Sequence, residues 1–137
     1  MKKWITVLLL LTVLFAGCGK DTAQQTQAPT EITKEAVYVN ITVQEAKEIM
    51  DSREGYVILD TRTQEEYDER HIPGAILIPH DQIKEQAESL LTDKDQLILV
   101  YCRSGRRSKL ASEDLVALGY TNIMEFGGII DWPYETE

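Results

Sequence analysis

Cys102 follows an unbroken apolar run, Leu97-Ile98-Leu99-Val100-Tyr101, and leads directly into Arg103-Ser104-Gly105-Arg106-Arg107-Ser108. A short apolar run bounded by polar residues predicts a fully buried strand. The segment after the arginines takes on helical spacing, so the thiol falls at a strand-to-helix turn ringed by fixed positive charge. Helix N-terminal amides favour an anion and arginines favour it again, and both draw a thiol toward its thiolate. The thiolate is the nucleophilic form. Cys102 is therefore the candidate nucleophile, with Arg103, Ser104, Gly105, Arg106, Arg107 and Ser108 as the candidate anion-binding loop. Cysteines are also common as plain core residues, but arginines and a glycine are poor core neighbours.

The charge balance agrees with a focused site. The chain carries 14 Lys and Arg against 23 Asp and Glu, a formal net charge of −9. Four of the basic residues, Arg103, Arg106, Arg107 and Lys109, cluster around the loop. An acidic protein with one basic loop speaks against general nucleic-acid binding and for a small anionic ligand.

The N-terminus reads as targeting rather than fold. Lys2 and Lys3 precede a short apolar stretch from Trp4 to Phe15, broken by Thr6 and Thr12. That stretch falls short of the roughly 18–20 residues a spanning helix needs. Phe15-Ala16-Gly17-Cys18 resembles a bacterial lipobox, with Phe15 where leucine is usual. The resemblance implies a signal peptide over residues 1–17, lipidation of Cys18, and a lipid-anchored protein on the outer side of the bacterial cell membrane. Residues 18–36 are polar and aperiodic, and read as a flexible tether spanning roughly 20–25 Å. With Cys18 lipidated, Cys102 is the only free thiol left, so no intramolecular disulfide can form.

The folded domain is expected over residues 37–137. Strands are predicted near Tyr38–Ile41, Tyr56–Asp60, Ala75–Ile78, Leu97–Tyr101 and Asn122–Phe126. Helices are predicted between them, over Thr42–Asp51, Gln64–Arg70, Gln82–Leu91 and Ser108–Leu118, with a last short one around Trp132. Thr42 and Glu45 have the spacing of a capping box. Alternating strands and helices imply a parallel sheet covered on both faces, with ligands at the carboxyl ends of the strands. Cys102 and Asp60 both stand at such ends.

From Val37 onward the chain resembles a single-domain rhodanese. Cys102, Arg103, Gly105 and Arg107 match the pattern Cys-Arg-x-Gly-x-Arg. Leu59-Asp60-Thr61-Arg62, Glu65-Glu66-Tyr67 and His71-Ile72-Pro73-Gly74-Ala75 match the family's first signature. Gly127-Gly128-Ile129-Ile130-Asp131-Trp132 resembles its closing Gly-Gly-x-x-x-Trp. The resemblance implies a three-layer α/β/α domain around a central five-stranded parallel sheet. It implies a sulfurtransferase that attacks the outer sulfur of a donor such as thiosulfate, holds it as a persulfide on Cys102, and passes it to cyanide or a thiol. Arg103, Arg106 and Arg107 could supply charge for a dianionic donor, and the loop amides could hold thiolate and persulfide without a histidine base. No cofactor is expected, and no metal: His71 and His80 are the only histidines, and one thiol makes no zinc site. The expected partners are the small donor, the acceptor and, through Cys18, the membrane, with the chain acting as a monomer.

Loop length separates this reading from a rival, phosphatase or arsenate reductase chemistry in the same fold. Phosphatases of related design use a Cys-x5-Arg loop sized for phosphate, and that arginine position is Ser108 here. A persulfide carrier without turnover of its own shares every residue with the enzyme and stays open. Asp60 and Arg62 read as a structural ion pair holding the turn after their strand. His71 is expected to cap a turn, His80 to lie in a loop, Trp132 to seal the core, and Glu65, Glu66, Asp68 and Glu69 to form a solvated helix face.

Overall fold

A computed structural model describes residues 37–137. The expected signal peptide, the expected lipidation site Cys18 and the expected tether lie outside the described residues. Five strands alternate with helices: β1 (Val39–Asn40), α1 (Val43–Ser52), β2 (Tyr56–Asp60), α2 (Gln64–Glu69), β3 (Ile76–Leu77), α3 (Ile83–Leu90), β4 (Leu97–Cys102), α4 (Arg106–Ala117) and β5 (Ile123–Gly128). Short 3₁₀ turns cover His80–Gln82 and Ile129–Asp131. The strands form one parallel sheet in the order β1-β5-β4-β2-β3.

β4 is central and buried at every residue, so its sequence must be apolar on both faces. Its side chains divide with period two. Ile98 and Val100 join Ile83, Ala87, Ala111 and Leu115 beneath α3 and α4. Leu97, Leu99 and Tyr101 join Ala46, Ile72, Phe126 and Trp132 on the other face. The arrangement is the three-layer α/β/α sandwich expected. Thr42 and Glu45 form the expected capping box, and Thr63 with Glu66 forms a second one at α2.

The instructive difference lies at α4. The helix begins at Arg106, two residues before the expected start at Ser108. Two arginines in a first turn oppose the helix dipole, which is why the sequence pattern points to a later start. Gly105 makes the early start possible: it adopts a left-handed backbone (φ 100°) at the N-cap position. β5 extends to Gly128, beyond the expected end at Phe126, with an irregularity between the pairs Val100–Glu125 and Cys102–Gly128. The last short helix is the 3₁₀ turn ending at Asp131, just before Trp132.

Candidate active site

Cys102 ends β4, at the carboxyl edge of the sheet, with only 1% of its surface exposed. The chain then wraps over it into α4. The Gly105 N–H donates to Cys102 Sγ at 3.1 Å, and Ser108 Oγ lies 3.4 Å from the same sulfur. Burial pushes the thiol up, and the Ser108 hydroxyl with the N–H groups of Ser108, Ser104 and Gly105 outweighs it. The net effect holds Cys102 below the ordinary thiol value. The amides come from the loop and the first turn of α4, so the early helix start is what aims them at the sulfur.

The loop rests on β5. A Cβ on Gly128 would stand 2.0 Å from the Arg103 carbonyl oxygen, so only glycine lets the two backbones approach this closely. The Ile130 N–H donates to that carbonyl at 3.3 Å. The Gly-Gly pair at 127–128 is thus part of the loop's seat.

The three arginines have different positions. Arg107 is held by Glu66 of α2 in a two-pronged ion pair, Nη1–Oε2 2.6 Å and Nη2–Oε1 2.7 Å. Glu66 is therefore not part of the solvated helix face that the sequence suggests. It is partly buried, and its bonds to Arg107 hold its carboxyl down to about 2. Arg103 and Arg106 are exposed, and among the described residues neither makes an ion pair. A cavity of about 250 Å³ opens beside the loop, lined by Arg62, Glu66, Arg70, Arg103, Ile129 and Ile130 among others. A second one of about 360 Å³, lined by Met50, Tyr56, Ile72, Trp132 and Tyr134 among others, contains no loop residue.

Asp60 and Arg62 form the expected ion pair at the end of β2. Both are buried, with Nη2–Oδ2 at 2.6 Å, and the Tyr101 hydroxyl donates to the same Oδ2 at 2.6 Å. The Arg62 N–H closes the turn onto Asp60 Oδ1 at 2.9 Å, and Arg62 Nη2 donates to the Arg70 carbonyl at 2.7 Å. His71 stacks on Tyr67, with Nδ1 3.0 Å from the Tyr67 carbonyl, at the turn it was expected to cap. His80 lies in a 3₁₀ turn, and Trp132 seals the core at 8% exposure.

Sequence reasoning missed Glu125. It is 2% exposed on β5, its Oε1 accepting from Ser108 Oγ at 2.6 Å and from the Gly127 N–H at 2.9 Å. The available signal was an acid inside the otherwise apolar run Ile123-Met124-Glu125-Phe126.

This constellation is that of a known class. Residues 42–133 match the model of the rhodanese-like domain. The chain is 40% identical over 73 residues to the thiosulfate sulfurtransferase PspE of Escherichia coli, covering 53% of this chain and 70% of that protein. It is 35% identical over 120 residues to the putative sulfur carrier protein YrkF of Bacillus subtilis, covering 87% of this chain but 59% of the relative. A solved structure described as rhodanese with anions from E. coli superposes with a TM-score of 0.57 at 35% identity, covering 60% of this chain and 96% of that one. The chain belongs to the rhodanese-like family and is a rhodanese-type sulfurtransferase.

Proposed function

We propose that the protein moves sulfane sulfur from an anionic donor such as thiosulfate to cyanide or a thiol, through a persulfide on Cys102. The Gly105 N–H aimed at Cys102 Sγ from 3.1 Å, in a loop whose amides favour a sulfur anion, carries this reading. In the first half-reaction the thiolate attacks the outer sulfur of thiosulfate. The S–S bond of the donor breaks, and sulfite leaves with the electron pair. In the second, the acceptor's lone pair attacks the terminal sulfur, and the Cys102 thiolate leaves. Cyanide becomes thiocyanate, and no outside oxidant or reductant is needed. Arg103 and Arg106 would meet the donor's charge, because Arg107 already spends its charge on Glu66. We place the domain outside the bacterial cell membrane, tethered through a lipidated Cys18, on the strength of the Lys2-Lys3, apolar and Phe15-Ala16-Gly17-Cys18 sequence.

The test is incubation with thiosulfate, read by intact mass and by thiocyanate release on adding cyanide. The wild-type protein should gain one sulfur and turn over repeatedly; Cys102→Ala should do neither. No adduct and no thiocyanate from the wild type would end the proposal. A single sulfur transfer without turnover would instead favour the carrier reading, which the name of the B. subtilis relative recommends. Cys18→Ala should block processing and lipidation, and unchanged size and membrane retention would count against the anchor.

A further inference from the structure

Ser108 has one hydroxyl proton and four acceptors around it. They are Glu125 Oε1 at 2.6 Å, the Gly105 carbonyl at 3.0 Å, and Cys102 Sγ and the Gly127 carbonyl, each at 3.4 Å. The shortest is the carboxylate, and a hydroxyl–carboxylate bond at this distance is of the strong, charge-assisted kind. The proton therefore points to Glu125, and the hydroxyl turns a lone pair toward Cys102. In that state Ser108 is an acceptor for a thiol S–H; only when it turns its proton to the sulfur does it give the bond that favours the thiolate. All three groups are sealed from water, at 0% exposure for Ser108, 1% for Cys102 and 2% for Glu125. A buried carboxylate and a buried thiolate bridged by one hydroxyl repel each other with little screening.

We propose that Glu125 is a positioning residue that holds the Cys102 proton through Ser108, so that thiol and carboxyl share one proton between them. Cys102 as the sulfur-carrying nucleophile is taken over from the proposed function. The exchange balances without electron transfer. The thiol S–H breaks as its proton bonds to Ser108 Oγ, and the Ser108 O–H breaks as its own proton bonds to Glu125 Oε1. Afterwards the Ser108 hydroxyl donates to the sulfur, beside the Gly105 N–H. The loop then holds a thiolate or a persulfide with no net change in its charge.

Other charged groups face this pair. On α4, Arg107 is bonded to Glu66 of α2 and also feels the Cys102 sulfur, favouring its anion. Before β1, Tyr38 faces Glu113 and Glu125, and burial together with those two acids keeps it above its ordinary value, so it stays neutral. At the end of β2, Asp60 is closed by Arg62 and Tyr101. Arg103 and Arg106 are exposed and available to the donor.

Alkylation by iodoacetamide tests this without any sulfur transfer. The rate is followed against pH by the mass of the peptide carrying Cys102, so a second thiol elsewhere does not interfere. Glu125→Gln keeps the acceptor oxygen for Ser108 and Gly127 but removes the charge. It should alkylate at pH 6 at least about tenfold faster than wild type. In a Ser108→Ala background the gain from Glu125→Gln should shrink. An unchanged or slower profile for Glu125→Gln would overturn the proposal, as would a gain undiminished without Ser108. If the variant does not fold, wild-type protein labelled with ¹³C at the Glu carboxyls decides. The Glu125 resonance should move when Cys102 is alkylated, and a resonance that stays still overturns the proposal. A thiosulfate–cyanide assay on the same samples keeps the outcome separate from the proposed function, since alkylation reports only the state of the thiol.

Discussion

Two neighbouring strand ends face the same edge of the sheet and treat a buried anion in opposite ways. At the end of β2, Asp60 is enclosed by side chains: Arg62 by an ion pair, Tyr101 by a hydroxyl, and the turn's own N–H. At the end of β4, the Cys102 sulfur is held by a loop N–H and, at a longer distance, one hydroxyl. Side-chain countercharges hold an anion by full pairing and leave no lone pair for chemistry. Backbone amides favour the anion without a full countercharge and so leave it lone pairs for chemistry. The first device anchors a turn, and the second suits the nucleophile proposed for Cys102. The parallel register places Asp60 beside Tyr101, so the closed site braces the strand that presents the open one.

The sharpest way to break the contrast is to open the closed end. Asp60→Asn leaves Arg62 charged and unpaired at 4% exposure. Removing one partner of a buried pair costs about 3–5 kcal/mol. Urea denaturation should show that loss, while the alkylation profile of Cys102 in the folded fraction stays where it is. A profile that moved with Asp60 would mean that the two ends share one electrostatic site.

The next largest effect comes from lifting the open end off its seat. Gly128 has an ordinary extended backbone (φ −135°), so Gly128→Ala introduces no backbone strain, only a Cβ where the Arg103 carbonyl already stands. The loop must shift, and a displacement of about 1 Å at a reacting atom can cost about 100-fold in rate. Thiocyanate formation should fall by that order, against a stability loss of about 1–3 kcal/mol for overpacking. Equal activity in the variant would show that the amide cradle is not held by the contact with β5.

What could be read from sequence follows the same line between local and distant contacts. The Thr42–Glu45 box and the Asp60–Arg62 pair join residues a few positions apart, where spacing alone limits the geometry. Cys102 and its loop are contiguous, and alternating apolar strands and helices suffice for the parallel sheet. Glu66–Arg107 and Ser108–Glu125 each bring together residues from different elements. No periodicity marks such partners: Glu66 looks like one of four acids on a helix, and Glu125 like a lapse in a strand. The start of α4 was hidden differently, because Arg106 and Arg107 are poor first-turn residues until Glu66 and a sulfur anion stand nearby.

The smallest expected effect is at the junction of the two regions, where Glu66 holds Arg107 against the side of the loop. The carboxyl sits at about 2 instead of its ordinary 4.5, chiefly through its hydrogen bonds to Arg107. A carboxyl lowered on folding stabilises the protein fully above its unfolded value, and that stability drains away as pH falls from 4.5 toward 2. The pair is partly exposed, so screening reduces the gain to about 1–2 kcal/mol at neutral pH. Glu66→Gln should lose this amount at pH 7 in urea denaturation, and its stability should converge on that of the wild type as the pH approaches 2. It should also release Arg107 from its partner, adding a third free guanidinium beside the thiol, so the KM for thiosulfate should fall while kcat holds. A KM that rose instead would mean that Arg107 serves the donor only when Glu66 fixes its position, and the open end would then depend on a side-chain pair as the closed end does.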